Sequence, residues 1–182
     1  MSTSTTAVVP YDPTWVDLFS QLGTRLRREL GPTALRIDHI GSTSVPGLDA
    51  KPVIDVQISV SSLGPVDAYR GALERCGFVW RAENTELTKR YFRERPGSRR
   101  THIHVRRAGS FSEQFALLFR DYLRTHPVRA GEYARLKHRL APLLPADRQA
   151  YVEAKVPFTW ETMHLADDWA QEIGWEPGDS DC

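Results

Sequence analysis

The residues with the clearest chemical potential lie between Asp38 and Val56. A loop of small residues from Gly41 to Gly47 joins two candidate strands, and the second strand places Asp55 among apolar neighbours. Backbone N–H groups and Ser or Thr hydroxyls in such a loop suit phosphate oxygens. Aspartate is depleted in strands and is costly to bury without a partner. The segment therefore predicts a phosphate site, although it matches neither a Walker A loop nor G-x-G-x-x-G, and the alternative is an ordinary serine-rich turn.

Two histidines in a later candidate strand extend this set. His102 and His104 are two positions apart, so their side chains share one face of a strand. If that strand neighbours the Asp55 strand, two imidazoles and a carboxylate meet, and this ligand set suits zinc or another transition metal better than magnesium. The alternative is a structural histidine pair on a polar sheet face. His39, at the end of the first strand, either joins the cluster or packs there.

Charge is balanced in total and uneven along the chain. The formal net charge of +1, from 24 Lys and Arg against 23 Asp and Glu, argues against a wholly basic nucleic-acid-binding protein. Residues 89–107 nevertheless contain eight Lys and Arg and one Glu, whereas residues 161–182 contain seven acids and no Lys or Arg. The basic stretch suits phosphate groups of a nucleotide or of RNA, with Arg90 and Arg93 as candidates. The alternative is a solvated face.

Two groups on later predicted helices are also of interest. Arg120, Asp121 and Arg124 either anchor an apolar helix to the sheet through ion pairs or contribute to the site. Tyr151 and Lys155, four residues apart, share one helix face, so Lys155 either reaches the site or is an ordinary surface lysine.

Hydrophobic periodicity and turn residues predict the elements that position these groups. Helices are expected from Asp12 to Gly31 and from Pro65 to Cys76, and three more helical regions follow Ala108, the last running from about Ala146 to Ile173 and interrupted at Pro157. The predicted strands are Leu35–Ile40, Val53–Val60, Phe78–Trp80, Leu87–Arg93 and Thr101–Arg106. This order predicts an α+β fold, a mixed β-sheet flanked by helices with a C-terminal helical region.

A chain of 182 residues is expected to form one domain. We place it at residues 8–173, with a sheet part at about 8–107, a helical part at about 109–173, and flexible ends at 1–7 and 174–182. The two cysteines, Cys76 and Cys182, suggest no zinc knuckle or disulfide scaffold. No apolar run approaches the length of a membrane span, and the first residues do not resemble a secretory signal. These features predict a cytoplasmic protein with no membrane association.

Several sequence blocks resemble the GrpB family. The most specific are His39-Ile-Gly-Ser-Thr-Ser-Val-Pro-Gly-Leu48 and Lys51-Pro-Val-Ile-Asp-Val56. Further blocks similar to that family are Val9-Pro-Tyr-Asp-Pro-Thr-Trp15, Thr101-His-Ile-His-Val105, Phe119-Arg-Asp-Tyr-Leu-Arg124, Glu132-Tyr-Ala-Arg-Leu-Lys137 and Tyr151-Val-Glu-Ala-Lys155. The resemblance covers about residues 8–170.

This resemblance implies a nucleotidyltransferase-like fold, in which a Gly-Ser loop contacts nucleotide phosphates and an Asp-x-Asp pair on the next strand holds divalent metal. Gly41 and Ser42 match the Gly-Ser pair, and Asp55 matches the first carboxylate. The position of the second carboxylate is occupied by Gln57, whose neutral oxygen is a poor ligand for a metal pair. Either another residue completes the site or the metal chemistry is lost. The family also occurs fused to dephospho-coenzyme A kinase, which suggests nucleotide or coenzyme A chemistry.

The sequence thus favours a metal-dependent nucleotidyl or phosphoryl transferase acting on a small-molecule acceptor, although enzymatic activity itself stays open. The expected cofactor is a divalent metal, magnesium or a transition metal, with a nucleoside triphosphate as substrate. One alternative is a catalytically degenerate module that binds a nucleotide or coenzyme A, and another is an RNA-binding protein using residues 89–107. The predicted catalytic residues are Asp55, His104 and Lys51; the metal ligands are Asp55, His102 and His104; and the nucleotide-binding residues are His39, Gly41, Ser42, Thr43, Ser44, Lys51, Arg90 and Arg93.

Overall fold

A computed structural model describes residues 7–182, so the predicted flexible N-terminus lies almost wholly outside the described residues. The strands are β1 Arg36–Ile40, β2 Ile54–Val60, β3 Phe78–Trp80, β4 Lys89–Glu94 and β5 Thr101–Arg107. The α-helices are α1 Thr14–Leu30, α2 Asp67–Arg75, α3 Phe111–Thr125, α4 Pro127–Leu140, α5 Arg148–Glu153 and α6 Val156–Ile173. Three short 3₁₀ turns cover Gly31–Thr33, Ser42–Ser44 and Ala141–Leu143. No helix among residues 7–182 is long and apolar enough to cross a bilayer.

The five strands form one mixed sheet in the order β1-β2-β5-β4-β3. Strands β2 and β5 are parallel, and the other neighbouring pairs are antiparallel. The predicted α+β class with a mixed sheet flanked by helices is therefore confirmed. The parallel register sets Asp55 opposite His102 and Gln57 opposite His104. The predicted metal site required the strand of Asp55 to lie beside the strand of His102 and His104. The pairing of β2 with β5 meets this condition.

One face of the sheet is apolar and packs against α1 and α2. Alternate residues of a strand point to opposite faces, so β2 contributes Ile54, Val56 and Ile58 to this core while Asp55 and Gln57 face the other way. Trp15 and Leu26 of α1 pack against these residues. The other, polar face carries the histidines and is partly covered by α3.

The C-terminal helices close over the loop that joins β1 to β2. Val45 and Leu48 of that loop are buried against Leu123, Ala130 and Tyr133 of α3 and α4. Helix α6 packs on α3 in a separate apolar cluster. The helical part therefore holds the small-residue loop against the polar face of the sheet.

The predicted flexible end at 174–182 is not what the structure shows. The Cys182 amide donates to the Ile37 carbonyl at 3.2 Å, and the Ile37 and His39 amides donate to Ser180 Oγ and Asp181 Oδ2, both at 2.8 Å. Strand β1 is an edge of the sheet, and its outward backbone groups need partners. Residues 180–182 supply those partners.

Candidate active site

Three titratable side chains meet on the polar face at the start of β2 and β5. His102 Nδ1 lies 3.0 Å from Asp55 Oδ1, and His104 Nε2 lies 3.3 Å from the same oxygen. The parallel register brings Asp55 directly beside His102, and strand alternation brings His104 onto the same face. Each residue can supply one ligand atom within 4.8 Å of the other two. The side chains of Asp55, His102 and His104 therefore lie together, as the prediction required.

The electrostatics of this cluster favour metal ligation. Burial by itself raises the pKa of Asp55, but hydrogen bonds from His102 and His104 outweigh it and hold the pKa below its ordinary value. Burial lowers the pKa of His104 to about 4, so its imidazole is neutral at physiological pH. A carboxylate and a neutral imidazole are the protonation states that bind a divalent ion. Two nitrogens and one oxygen fit zinc or another transition metal better than magnesium.

Gln57 does not add a ligand to this set. Its side chain is fully buried, and its Oε1 accepts a hydrogen bond from Arg106. Its Nε2 donates to the Glu113 carbonyl at 3.4 Å. Both ends of the amide are therefore held by the protein. Among residues 7–182, the candidate metal ligands are therefore one atom each from Asp55, His102 and His104.

The small-residue loop lies close to the Asp55 carboxylate at Gly41. Gly41 has φ +72°, and a Cβ at this position would lie 2.8 Å from Asp55 Oδ2. Glycine is thus required both by the backbone conformation and by the proximity of the carboxylate. Thr43 Oγ1 donates to the Val53 carbonyl at 3.0 Å, and Arg124 Nε donates to the Ser44 carbonyl at 2.9 Å. These bonds fix the loop at the edge of the cluster.

Asp55 and His102 open onto a cavity of about 250 Å³ that is rich in cations. The sheet and loop contribute Gly41, Ser42, Thr43, Lys51, Asp55 and His102 to its wall, and the C-terminal helices contribute Tyr133, Lys137, Arg148, Tyr151 and Lys155. Among the described residues, none of these three lysines forms a salt bridge with a carboxylate. Four cations facing one aspartate suit a ligand with several negative charges.

The lysines in this cavity have lowered pKa values. Burial, followed by repulsion from Lys155, lowers the pKa of Lys137 to about 7. Burial, followed by repulsion from Lys51, lowers the pKa of Lys155 to about 8. Lys51 and Lys155 both lie over the Tyr151 ring, at 4.9 Å and 4.5 Å from its centroid. Such crowding of like charges is unfavourable by itself, and the binding of an anion would relieve it.

The structure brings together most, but not all, of the predicted site residues. Ser44 Oγ bonds to the Gly41 carbonyl instead of facing the cavity. His39 is buried on the apolar face, stacked on Phe19 with ring centroids 4.7 Å apart, and bonds to Thr43. Burial lowers the pKa of His39 to about 4. His39 therefore supports the loop from behind and does not join the Asp55 cluster.

The two predicted arginines also lie outside the cavity. Arg90 is opposite Val105, which places it on the α1 and α2 face, and it donates to the Leu87 and Lys89 carbonyls. Arg93 is opposite His102 on the polar face, but its guanidinium pairs with Glu94 at 3.0 Å. These two residues of the basic stretch therefore lie on different faces of the sheet, and Arg93 is neutralised by Glu94.

Sequence reasoning missed several cavity residues. Lys137, Arg148 and Tyr133 were not predicted, and Lys155 with Tyr151 was only one of two interpretations. A signal was present, because Tyr133-Ala-Arg-Leu-Lys137 and Tyr151-Val-Glu-Ala-Lys155 share a Tyr-x-x-x-Lys spacing. In both segments the lysine Nζ lies over the ring of the tyrosine four residues earlier. Arg120 and Arg124 do anchor α3 to the sheet side, through His39, Ser44, Asp38 and Asp181.

Comparison with known proteins identifies the family. The family model described as "GrpB protein" matches residues 5–164. A crystal structure of the conserved protein GrpB from Enterococcus faecalis is 35% identical, with a TM-score of 0.79 over 88% of this chain and 96% of that one. The chain belongs to the GrpB family.

Relatives of this GrpB protein differ in length. The UPF0157 protein YqkA of Bacillus subtilis is 37% identical over 81% of this chain, and the dephospho-CoA kinase of Mycobacterium tuberculosis H37Rv is 33% identical over 93% of it. The GrpB chain spans only 43% and 48% of those two proteins. A solved structure of Cid1 poly(U) polymerase is 14% identical with a TM-score of 0.46, too low to carry a functional inference.

Proposed function

We propose that this GrpB protein is a metal-dependent transferase that moves a nucleotidyl or phosphoryl group from a nucleoside triphosphate to a small-molecule acceptor. The proposal depends on one observation, the opening of the Asp55, His102 and His104 cluster into a cavity lined by four cations. A ligand set for a divalent ion beside a polyanion pocket is the arrangement that phosphoryl transfer requires. The family resemblance, which implies the nucleotidyltransferase superfamily, supports the same reaction class.

Each residue has a defined part in this proposal. Asp55, His102 and His104 would hold the metal, which when bound neutralises developing charge on the transferring phosphoryl group. Lys51, Lys137, Arg148 and Lys155 bind the phosphate oxygens that become more negative as the bond to the leaving group breaks. Ser42 contributes a hydroxyl that donates to a phosphate oxygen. In this proposal Ser42 acts as a ligand and not as a nucleophile.

Turnover of labelled nucleotides is the direct test. The protein is incubated with ATP or GTP carrying label in the α- or γ-phosphate, with Mg²⁺, Mn²⁺ or Zn²⁺ and pools of small hydroxyl- or amine-bearing acceptors. We expect metal-dependent transfer of label that stops on chelation. Transfer of the α-label identifies a nucleotidyl transferase, and transfer of the γ-label identifies a phosphoryl transferase. Saturable nucleotide binding with no transfer under any metal would contradict the enzyme proposal.

A binding module is the second candidate, and Gln57 favours it. The position that resembles a second metal-binding carboxylate is occupied by an amide whose two ends are already bonded within the protein. One carboxylate holds a metal pair poorly, which would leave the phosphate pocket intact without catalysis. The named dephospho-CoA kinases among the relatives make coenzyme A a ligand to include in the binding screen.

We also propose that the protein is located in the cytoplasm. The two free cysteines, Cys76 and Cys182, support this location, because thiols stay reduced there.

Nucleotide affinity is expected to fall as pH rises from 7 to 9. Lys137 and Lys155, with pKa values of about 7 and about 8, carry their charges below these values and lose them above. The phosphates of ATP are already ionised in this window, so the loss of two cations weakens binding, by about tenfold or more. Calorimetric titration at each pH measures the trend. Lys137→Arg, which stays protonated, should flatten the dependence, and an unchanged slope in that variant would contradict the assignment.

A further inference from the structure

A second cavity lies on the same sheet face, beyond the Asp55 cluster. It measures about 810 Å³, which is within the range of small-molecule sites. Arg106, in its wall, is opposite Ser59, four residues beyond Asp55 on β2. At about 3.3 Å per residue this separates the two sites by about 13 Å along the strand. The large cavity is therefore a separate site, and nothing in the proposed transferase chemistry uses it.

One wall of this cavity is aromatic. Phe111 and Phe115 of α3 have ring centroids 5.7 Å apart, and Phe115 lies 5.4 Å from Trp160 of α6. Phe111 is 73% exposed and Trp160 is 49% exposed. Exposed rings in a row are costly in water and offer edges and faces to a planar ligand. Leu63, from the loop after β2, adds a further apolar group to the lining.

The lining also contains two arginines, Arg106 and Arg107, and neither forms a salt bridge among residues 7–182. Arg106 is largely buried, donates to the neutral amide of Gln57 and, among the described residues, has no salt bridge to a carboxylate. Its Nε is buried without a hydrogen-bond partner. Arg107 beside it donates only to the Ala108 carbonyl. The acid in the lining, Glu86, is already paired with Lys89. A buried guanidinium without an acidic partner favours an anionic ligand.

We propose that this cavity, which we name the aromatic cavity, binds a small planar aromatic molecule carrying one negative charge. The ring packs against the face of one of Phe115 and Trp160 and the edge of the other, with Phe111 beside them. The anionic group, a carboxylate, sulfonate or phosphate, accepts hydrogen bonds from Arg106 and Arg107. This proposal does not depend on the transferase activity, because it requires no metal and no nucleotide.

A matched pair of dyes tests the two halves of the proposal on the intact chain. 1-Anilinonaphthalene-8-sulfonate is an anion with a planar naphthalene ring, and N-phenyl-1-naphthylamine is the same ring system without the sulfonate. We expect the sulfonate dye to bind saturably at one site and about tenfold or more tighter than the neutral dye, a ratio that corresponds to one charged hydrogen bond. Equal affinity for the two dyes, or binding that does not saturate at one equivalent, would overturn the proposal.

Variants place the dye in the cavity. Trp160→Ala should lower the affinity for both dyes. Arg107→Gln should lower the affinity for the sulfonate dye alone, which brings the affinities for the two dyes closer together. Leu165→Ala, a half-exposed residue of α6 outside the lining, and Lys155→Ala, in the Asp55 cavity, should leave both affinities unchanged. Thermal melting confirms that each variant is folded. Unchanged binding in folded Trp160→Ala, or loss of binding in Lys155→Ala, would assign the dye elsewhere and overturn the proposal.

Discussion

Asp55→Asn is expected to lower metal affinity by about 100-fold or more and to remove any metal-dependent turnover. Even changes in residues that only contact metal ligands cost about 10–100-fold, and Asp55 would be a ligand itself. Asparagine keeps the shape and an accepting oxygen for His102 and His104 but removes the charge that a divalent ion requires. Titration calorimetry with Zn²⁺ and Mn²⁺ measures the affinity, and the labelled-nucleotide assay measures the turnover.

The control for this variant is Asp167→Asn, an equal charge change on the exposed surface of α6, which should leave metal binding and turnover unchanged. Turnover in the wild-type protein separates the two candidate functions, and nucleotide binding without metal shows that the phosphate pocket is intact in both. A transferase loses its reaction in Asp55→Asn while its lysines still bind phosphate. A binding module shows no reaction in either protein and keeps its nucleotide affinity. Wild-type metal affinity in a folded Asp55→Asn protein would contradict the site itself.

The cluster of Asp55, His102 and His104 was predictable in part because it depends on local rules. Strand alternation puts His102 and His104 on one face, and Asp55 stands out as an acid in an apolar strand. The missing step was the pairing of β2 with β5, since these strands are parallel and separated in sequence by β3 and β4. Spacing within a strand does not report which distant strand lies beside it. The order of the predicted elements gave the expectation of one mixed sheet, and the family resemblance implied the same fold.

Lys51 of the cationic wall was predicted and Lys155 was one of two interpretations, but Lys137 and Arg148 were not predictable from the same rules. Lys137 and Arg148 reach the cavity because α4 and the segment after it fold back over the β1–β2 loop, and that placement depends on the packing of Val45 and Leu48 against Tyr133. The error over Arg90 has a simpler cause. One position along a strand changes the face, and the register of β4 against β5 puts Arg90 with Val105 on the apolar side.

Arg120→Leu is expected to lower the free energy of unfolding by about 3 kcal/mol, the magnitude seen when one partner of a buried ion pair is removed. Arg120 is 3% exposed and lies among three carboxylates, at 2.7 Å from Asp121, 2.9 Å from Asp181 and 3.8 Å from the fully buried Asp38. Leucine fills part of the volume but leaves these charges without their shared cation. Arg36 still pairs with Asp38, which limits the loss.

Urea unfolding of Arg120→Leu beside Arg75→Leu tests this prediction. Arg75 also forms an arginine–carboxylate pair, with Glu29 at 2.8 Å, but its side chain is 64% exposed, so its removal should leave stability within experimental error. Equal losses in the two variants would contradict a special role for the buried network. Arg120 also donates hydrogen bonds to the His39 carbonyl and to Asp181 Oδ2, and the same Asp181 oxygen accepts from the His39 amide. The loss of Arg120 therefore weakens the support of both backbone groups of His39, which lies two residues before Gly41. We therefore expect a folded Arg120→Leu protein to bind nucleotide more weakly, although Arg120 does not line the cavity.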